Sequence, residues 1–143
     1  MNNQSSTEFL PLAAEQYVLV GVTNRLEEIL ITNILRNAGY ITHVVDTCAM
    51  AQHALVNHPF HFVILDCSMA DLQKNGFNTL VPHLLKTQGN PKIIALLTEP
   101  NPTLSKNLEK IGFHHIIQAP ITEEKLIKSF QSVDKKPTIS PRA

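Results

Sequence analysis

Short apolar runs alternate with amphipathic stretches along most of the chain. Residues 17–22 (YVLVGV) form a continuous apolar run, the pattern of a strand buried on both faces of a parallel sheet. Leu26, Ile29, Leu30, Ile34, Leu35 and Ala38 then recur at helical spacing, and Gly39 follows at a position that suits a helix C-terminus. Residues 42–45 predict a second short strand. Met50, Ala51, Ala54 and Leu55 predict a short helix that Pro59 must end. Residues 60–65 (FHFVIL) predict a third strand running into Asp66. Phe77, Leu80, Leu84 and Leu85 form an apolar stripe with Pro82 inside it, so this helix either kinks or starts late. Residues 93–97 (IIALL) predict a fourth strand. A helix over 102–111 follows, with Pro102 in its first turn and Gly112 at its end. Residues 114–117 predict a fifth strand. Thr122 caps a last helix whose first turn carries Glu123 and Glu124 and whose apolar face is Leu126, Ile127, Phe130 and Val133.

Five strands alternating with five helices predict an α/β doubly wound parallel sheet covered on both faces. The pattern occupies residues 16–133. Residues 1–15 read as a leader and 134–143 (DKKPTISPRA) as a linker or tail. Functional sites of such sheets lie beyond the carboxyl ends of the strands. The places to look are 22–25, 66–70, 97–99 and 118–120.

Composition narrows the function without naming it. The 143 residues fit one domain, and 43% hydrophobic content is that of a globular core. Twelve basic residues balance twelve acidic ones, so neither nucleic acid nor an anionic membrane is an expected partner. No apolar run is long enough to span a bilayer, and residues 1–7 are polar, so no signal peptide is expected and the location is read as cytoplasmic. Cys48 and Cys67, 19 residues apart, form no zinc pattern and read as buried reduced thiols. His53, His58 and His61 lack helical ligand spacing, with Pro59 between two of them. His114 and His115 point to opposite faces of a strand. Glycine-rich phosphate loops and nucleophile-elbow patterns are missing.

Three segments carry a resemblance. FVILDCSM at 62–69 is an apolar strand ending in Asp66, with Met69 three residues on. IGFHHIIQAPI at 111–121 closes the domain. YVLVGVTN followed by an amphipathic helix and Ala38, Gly39 and Tyr40 opens it. In order and spacing they resemble the receiver domain of response regulators over residues 16–133. The resemblance implies a flavodoxin-like sheet of strand order 2-1-3-4-5, two-component or phosphorelay signalling, and Asp66 at the phosphoacceptor position. It also implies positions this chain fills differently. The acidic pair that holds magnesium is Val22 and Thr23 here, the lysine before the last proline is Ala119, and the proline after the loop methionine is Ala70. The following glycine arrives two residues late, at Gly76. Thr98 is taken as the switch hydroxyl, although Leu97 fits the spacing equally, because Leu97 then simply lengthens the strand.

These departures fall on the chemistry. A carboxylate attacking a phosphoryl group needs its negative charge neutralised. Removing one aimed electrostatic partner typically costs about 3 kcal/mol. The expectation is therefore a pseudo-receiver: not an enzyme, with no cofactor and magnesium bound weakly or not at all. It acts through protein contacts, on a partner or effector domain or on a second copy, by the face of strand four, helix four, strand five and helix five. The tail suits tethering to a DNA-binding, ATPase or histidine-kinase module. Two alternatives stand beside it: a phosphoacceptor using Asp66, and a sensor binding a nucleotide or quinone in the strand-end cleft. Asp66 has a structural reading too, satisfying N–H groups of the next loop. Arg25 is a candidate salt-bridge partner for it.

Overall fold

The structure, a computed structural model, describes residues 16–70, 72–86 and 91–135. The leader 1–15, Asp71 and the tail beyond 135 lie outside the described residues. Five strands alternate with five helices: β1 (Tyr17–Gly21), α1 (Arg25–Asn37), β2 (Ile41–Val45), α2 (Cys48–Asn57), β3 (Phe62–Asp66), α3 (Phe77–Lys86), β4 (Lys92–Leu97), α4 (Pro102–Ile111), β5 (His115–Gln118) and α5 (Glu123–Lys135). All strand pairs are parallel and the sheet order is β2-β1-β3-β4-β5, the predicted 2-1-3-4-5. No helix among the described residues is long and apolar enough to cross a membrane.

Alternation along the strands divides the core in two. Val18, Val20, Phe62, Ile64, Ile94 and Leu96 face α1 and α5, where they meet Ile31, Leu35, Leu126 and Phe130. Phe62 and Phe130 stack with ring centroids 4.1 Å apart, and Tyr40 meets both edge-on. Leu19, Val63, Leu65 and Ala95 face α2, α3 and α4. Gly21 sits where the chain is tightest. A Cβ there would lie 2.9 Å from Leu65 Cδ2 and 3.4 Å from Met69 Sδ, so β1 passes β3 only without a side chain.

Helix starts follow the cap residues. Asn24, Thr47, Asn101 and Thr122 each accept a hydrogen bond from the backbone N–H three residues on, satisfying a donor the helix leaves open. Gly112 ends α4 at φ 128°, a conformation that disfavours any Cβ. The late glycine has a local cause: a π-helical turn over Leu72–Gly76 holds the extra chain before α3 begins. The α3 helix then runs through Pro82 and starts at Phe77, so the proline does not delay it.

Three expectations need correction. The apolar stripe of α1 is misread in its first half. Leu26, Ile29 and Leu30 are 78%, 44% and 41% exposed, and the buried positions are Ile31, Thr32, Ile34 and Leu35. Both sets have helical spacing, and the sequence pattern alone does not say which one meets the sheet. Strand ends move by one or two residues: β3 starts at Phe62 and includes Asp66, and β5 is His115–Gln118. His114 therefore precedes β5, and its Nδ1 accepts from Ile93 N at 3.0 Å. The last helix continues to Lys135, past the boundary set at 133.

Candidate functional site

Asp66 ends β3, which lies between β1 and β4. Its backbone pairs in register with Leu96, and Cys67 N donates to Leu96 O at 2.9 Å, so the sheet fixes the position. The loop then folds back on the carboxylate. Ser68 donates to Asp66 Oδ1 twice, from its backbone N at 2.9 Å and from its Oγ at 2.7 Å. Gln73 Nε2 donates to Cys67 O at 2.9 Å and ties the loop to the π turn. Asp66 is 1% exposed. This is the structural arrangement expected of a strand-end carboxylate that satisfies the next loop.

The second carboxyl at the site is Glu27. Asn24 starts α1, so Glu27 is its third residue and turns inward toward the end of β3. Its side chain lies in hydrogen-bonding contact with Asp66, and its Oε1 is buried without a partner. Burial, then the hydrogen bond and the charge of Asp66, push the Glu27 carboxyl up to about 7. Two ionised carboxylates are both acceptors and repel. One proton on Glu27 makes it a donor to Asp66. The neighbouring Cys67 thiol is pushed up to about 12, first by burial and then by the Asp66 charge, against a smaller lowering from a backbone hydrogen bond at Leu96.

Sequence reasoning missed Glu27 because an acidic residue in a first helical turn reads as a dipole effect. The signal lay in the register. Glu27 stands four residues before Ile31 and eight before Leu35, on the buried stripe.

The other predicted positions do not converge on Asp66. Val22 is a core residue, 2% exposed, whose N–H donates to Val45 O. Thr23 is exposed, and Thr98 stands exposed just past β4. Ala119 is half-buried, donates from its N to Leu97 O and precedes Pro120 through a cis peptide bond. A lysine does reach this turn from α5: Lys125 Nζ donates to Gln118 O at 2.9 Å and Pro120 O at 3.0 Å. Arg25 is not beside Asp66. Its guanidinium is 3.9 Å from Glu28 Oε1 and its side chain is 79% exposed. The helix advances about 100° per residue, so Arg25 points outward where Glu27 points in.

Magnesium keeps several waters and takes its remaining oxygens, often from one or two carboxylates, in octahedral geometry. The acidic-pair positions hold Val22 and Thr23, Asp66 Oδ1 is bonded to Ser68, Asp66 is 1% exposed, and the second carboxyl beside it is that of Glu27. Among the described residues no group of three or more His, Cys, Asp or Glu is placed to hold a metal. Cys48 and Cys67 are not disulfide-bonded; Cys48 is half-buried and Cys67 buried.

No family model and no curated protein matches the sequence. Solved structures do match in three dimensions. The chemotaxis response regulator CheY4 of Vibrio cholerae superposes with TM-score 0.72 at 22% identity, over 83% of this chain and 98% of that one. The receiver domain of the sensor histidine kinase PA1611 of Pseudomonas aeruginosa gives 0.72 at 19% identity, over 85% and 100%. A response regulator from Thermotoga maritima gives 0.73 at 18%, over 83% and 97%. The fold is that of CheY-like receiver domains. The PA1611 receiver holds a magnesium ion in its active-site cleft. In this chain the end of β3 carries Asp66, with the Glu27 carboxyl of α1 beside it.

Proposed function

We propose that this chain is a receiver-like signalling module of the two-component type that works by protein contact, with Asp66 kept as a structural carboxylate and no longer as a phosphoacceptor. The observation that carries this reading is the closure of Asp66. A nucleophile needs a free lone pair and an in-line approach for the phosphoryl group. Asp66 is 1% exposed, Ser68 bonds one of its oxygens twice, and Glu27 presses a second carboxyl against it. An incoming phosphoryl donor is anionic, and the Glu27 carboxyl beside Asp66 brings no positive charge to meet it. Magnesium is expected to bind weakly or not at all, and the module is not an enzyme.

The face of β4, α4, β5 and α5 offers little apolar surface for the contact. Among the described residues the exposed large apolar side chains are Leu26, Ile29 and Leu30 on α1, Ile41 on β2, Met50 and Val56 on α2, and Leu85 at the end of α3. Leu26, Ile29 and Leu30 lie within about one turn of α1, and grouped apolar exposure marks interaction surfaces, which favours α1 as the contact helix.

The test is incubation of the full chain with acetyl phosphate and magnesium, followed by intact mass. The expected result is an unmodified chain. A stoichiometric phosphoryl adduct that disappears in Asp66→Asn would restore the phosphoacceptor reading.

A further inference from the structure

Away from the strand ends, a cavity of about 670 Å³ opens between the edge strand β2 and helix α2. It has a plain structural origin. Among the described residues the sheet ends at β2, and none of their strands lies beyond it. Helix α2 turns small residues toward this space, Ala54 at the floor and Ala49 at the mouth. Val45 and Phe60, 2% and 4% exposed, complete the floor, and Ile41 and Met50 form a partly exposed apolar rim.

The lining has a definite chemistry. Among the described residues it contains no Lys, Arg, Asp or Glu. Four rings follow one another along one wall: Tyr17 to His58 with centroids 4.0 Å apart, His58 to Phe60 at 5.2 Å, and Phe60 to His43 at 6.0 Å. The His58 ring is held in place by a 2.6 Å hydrogen bond between Nδ1 and Pro59 O. Thr42, His43, His53 and Asn57 supply directional polar groups, and His53 and Asn57 orient each other through a 3.3 Å contact.

We infer that the groove between β2 and α2 binds an uncharged, planar, largely apolar small molecule. The size lies within the roughly 300–1,000 Å³ range of small-molecule sites, and apolar walls with a few placed polar groups are their usual lining. These rings meet at tilted to edge-on angles of 51–64°, and a wall of aromatic side chains favours an aromatic ligand. A charged ligand would be desolvated with no counter-charge to meet it. The site is distinct from Asp66 and stands whether or not that carboxylate accepts phosphate. It gives the module a chemical input that does not pass through the strand ends.

The experiment is a fluorescence titration of the full chain with N-phenylnaphthylamine, a neutral planar probe, beside the anionic anilinonaphthalenesulfonate. The expected result is saturable binding of one neutral probe per chain, with the sulfonate at least about tenfold weaker. Ala49→Trp fills the mouth from an exposed helix position and should weaken the neutral probe about tenfold or more. His43→Asp, at an exposed strand position, should do the same by placing a charge at the rim, and serves if the tryptophan variant fails to fold. Leu26→Ser, on the α1 patch, should leave binding unchanged. The inference is overturned by non-saturating binding, by wild-type affinity in both groove variants, or by loss of binding in Leu26→Ser. Equal affinity for the sulfonate overturns the uncharged class. A chain that sediments as a dimer and becomes monomeric on Ile41→Asp would put a second copy in the groove, and that too overturns it.

Discussion

Glu27 and Asp66 present two acceptors to each other, and a single proton turns that conflict into a hydrogen bond. The consequence for pH can be worked out from the raised Glu27 carboxyl, which moves from 4.5 to about 7. Below pH 4.5 the folded and unfolded chains both carry the proton. Between 4.5 and about 7 only the folded chain holds it, so stability from this group falls as pH rises through the window and the loss is complete above it. Urea unfolding at pH 5 and pH 8 should therefore show a larger drop for the wild type than for Glu27→Gln, whose amide donates at every pH. Equal drops in the two proteins would mean that the pair shares no proton. Cys67 lies next to the same charge, and its thiol at about 12 leaves almost no thiolate at pH 8. Iodoacetamide in native buffer is expected to modify Cys48 and to reach Cys67 only after denaturant is added. Peptide mapping showing Cys67 labelled first would contradict the closed site.

At the scale of the element, α1 explains how much of the site could be read in advance. Its existence and its end near Gly39 follow from local chemistry. Its facing does not, because Leu26, Ile29 and Leu30 match a helical stripe as well as Ile31, Ile34 and Leu35 do. Only the docked helix decides, and it turns Glu27 inward with the second set. The same ambiguity made Arg25 a candidate partner of Asp66 and hid the carboxyl that is there. Asp66 itself was legible, since a lone acid at the end of an apolar run is unusual. The Ser68 bonds were legible only as a type of loop interaction. The late Gly76 was visible as a spacing anomaly, but its resolution as a π turn needs the packed chain. The facing of α1 is testable by a pair of truncations. Ile31→Ala, at a fully buried site, should lower stability by about 2–5 kcal/mol. Leu26→Ala should stay within about 0.5 kcal/mol of wild type. Chemical denaturation giving the reverse order would show that the helix is turned the other way.

For the molecule as a whole, the two-sided core and the strand ends answer to different constraints. The core needs only apolar residues in the right alternation, so the 2-1-3-4-5 sheet forms with Val22 inside it as readily as with another topology-compatible residue. The strand ends need specific charges at specific positions, and there Val22, Thr23 and Ala119 leave Asp66 with Ser68 and Glu27 for company. The demands of the fold and of the strand-end site are therefore separable. Ligand linkage turns this into a measurement. A cation that binds the folded chain alone stabilises it by RT ln(1 + [L]/Kd), about 2.7 kcal/mol when its concentration is a hundred times Kd. A bound magnesium at that saturation would raise Tm by several degrees for a domain of this size. The closed carboxyl pair instead predicts a Tm that does not move as magnesium is raised through the millimolar range at pH 7.5, in wild type and in Asp66→Asn alike. A saturable rise in wild type that Asp66→Asn abolishes would mean that Glu27 and Ser68 yield to a metal and that the site takes the ion.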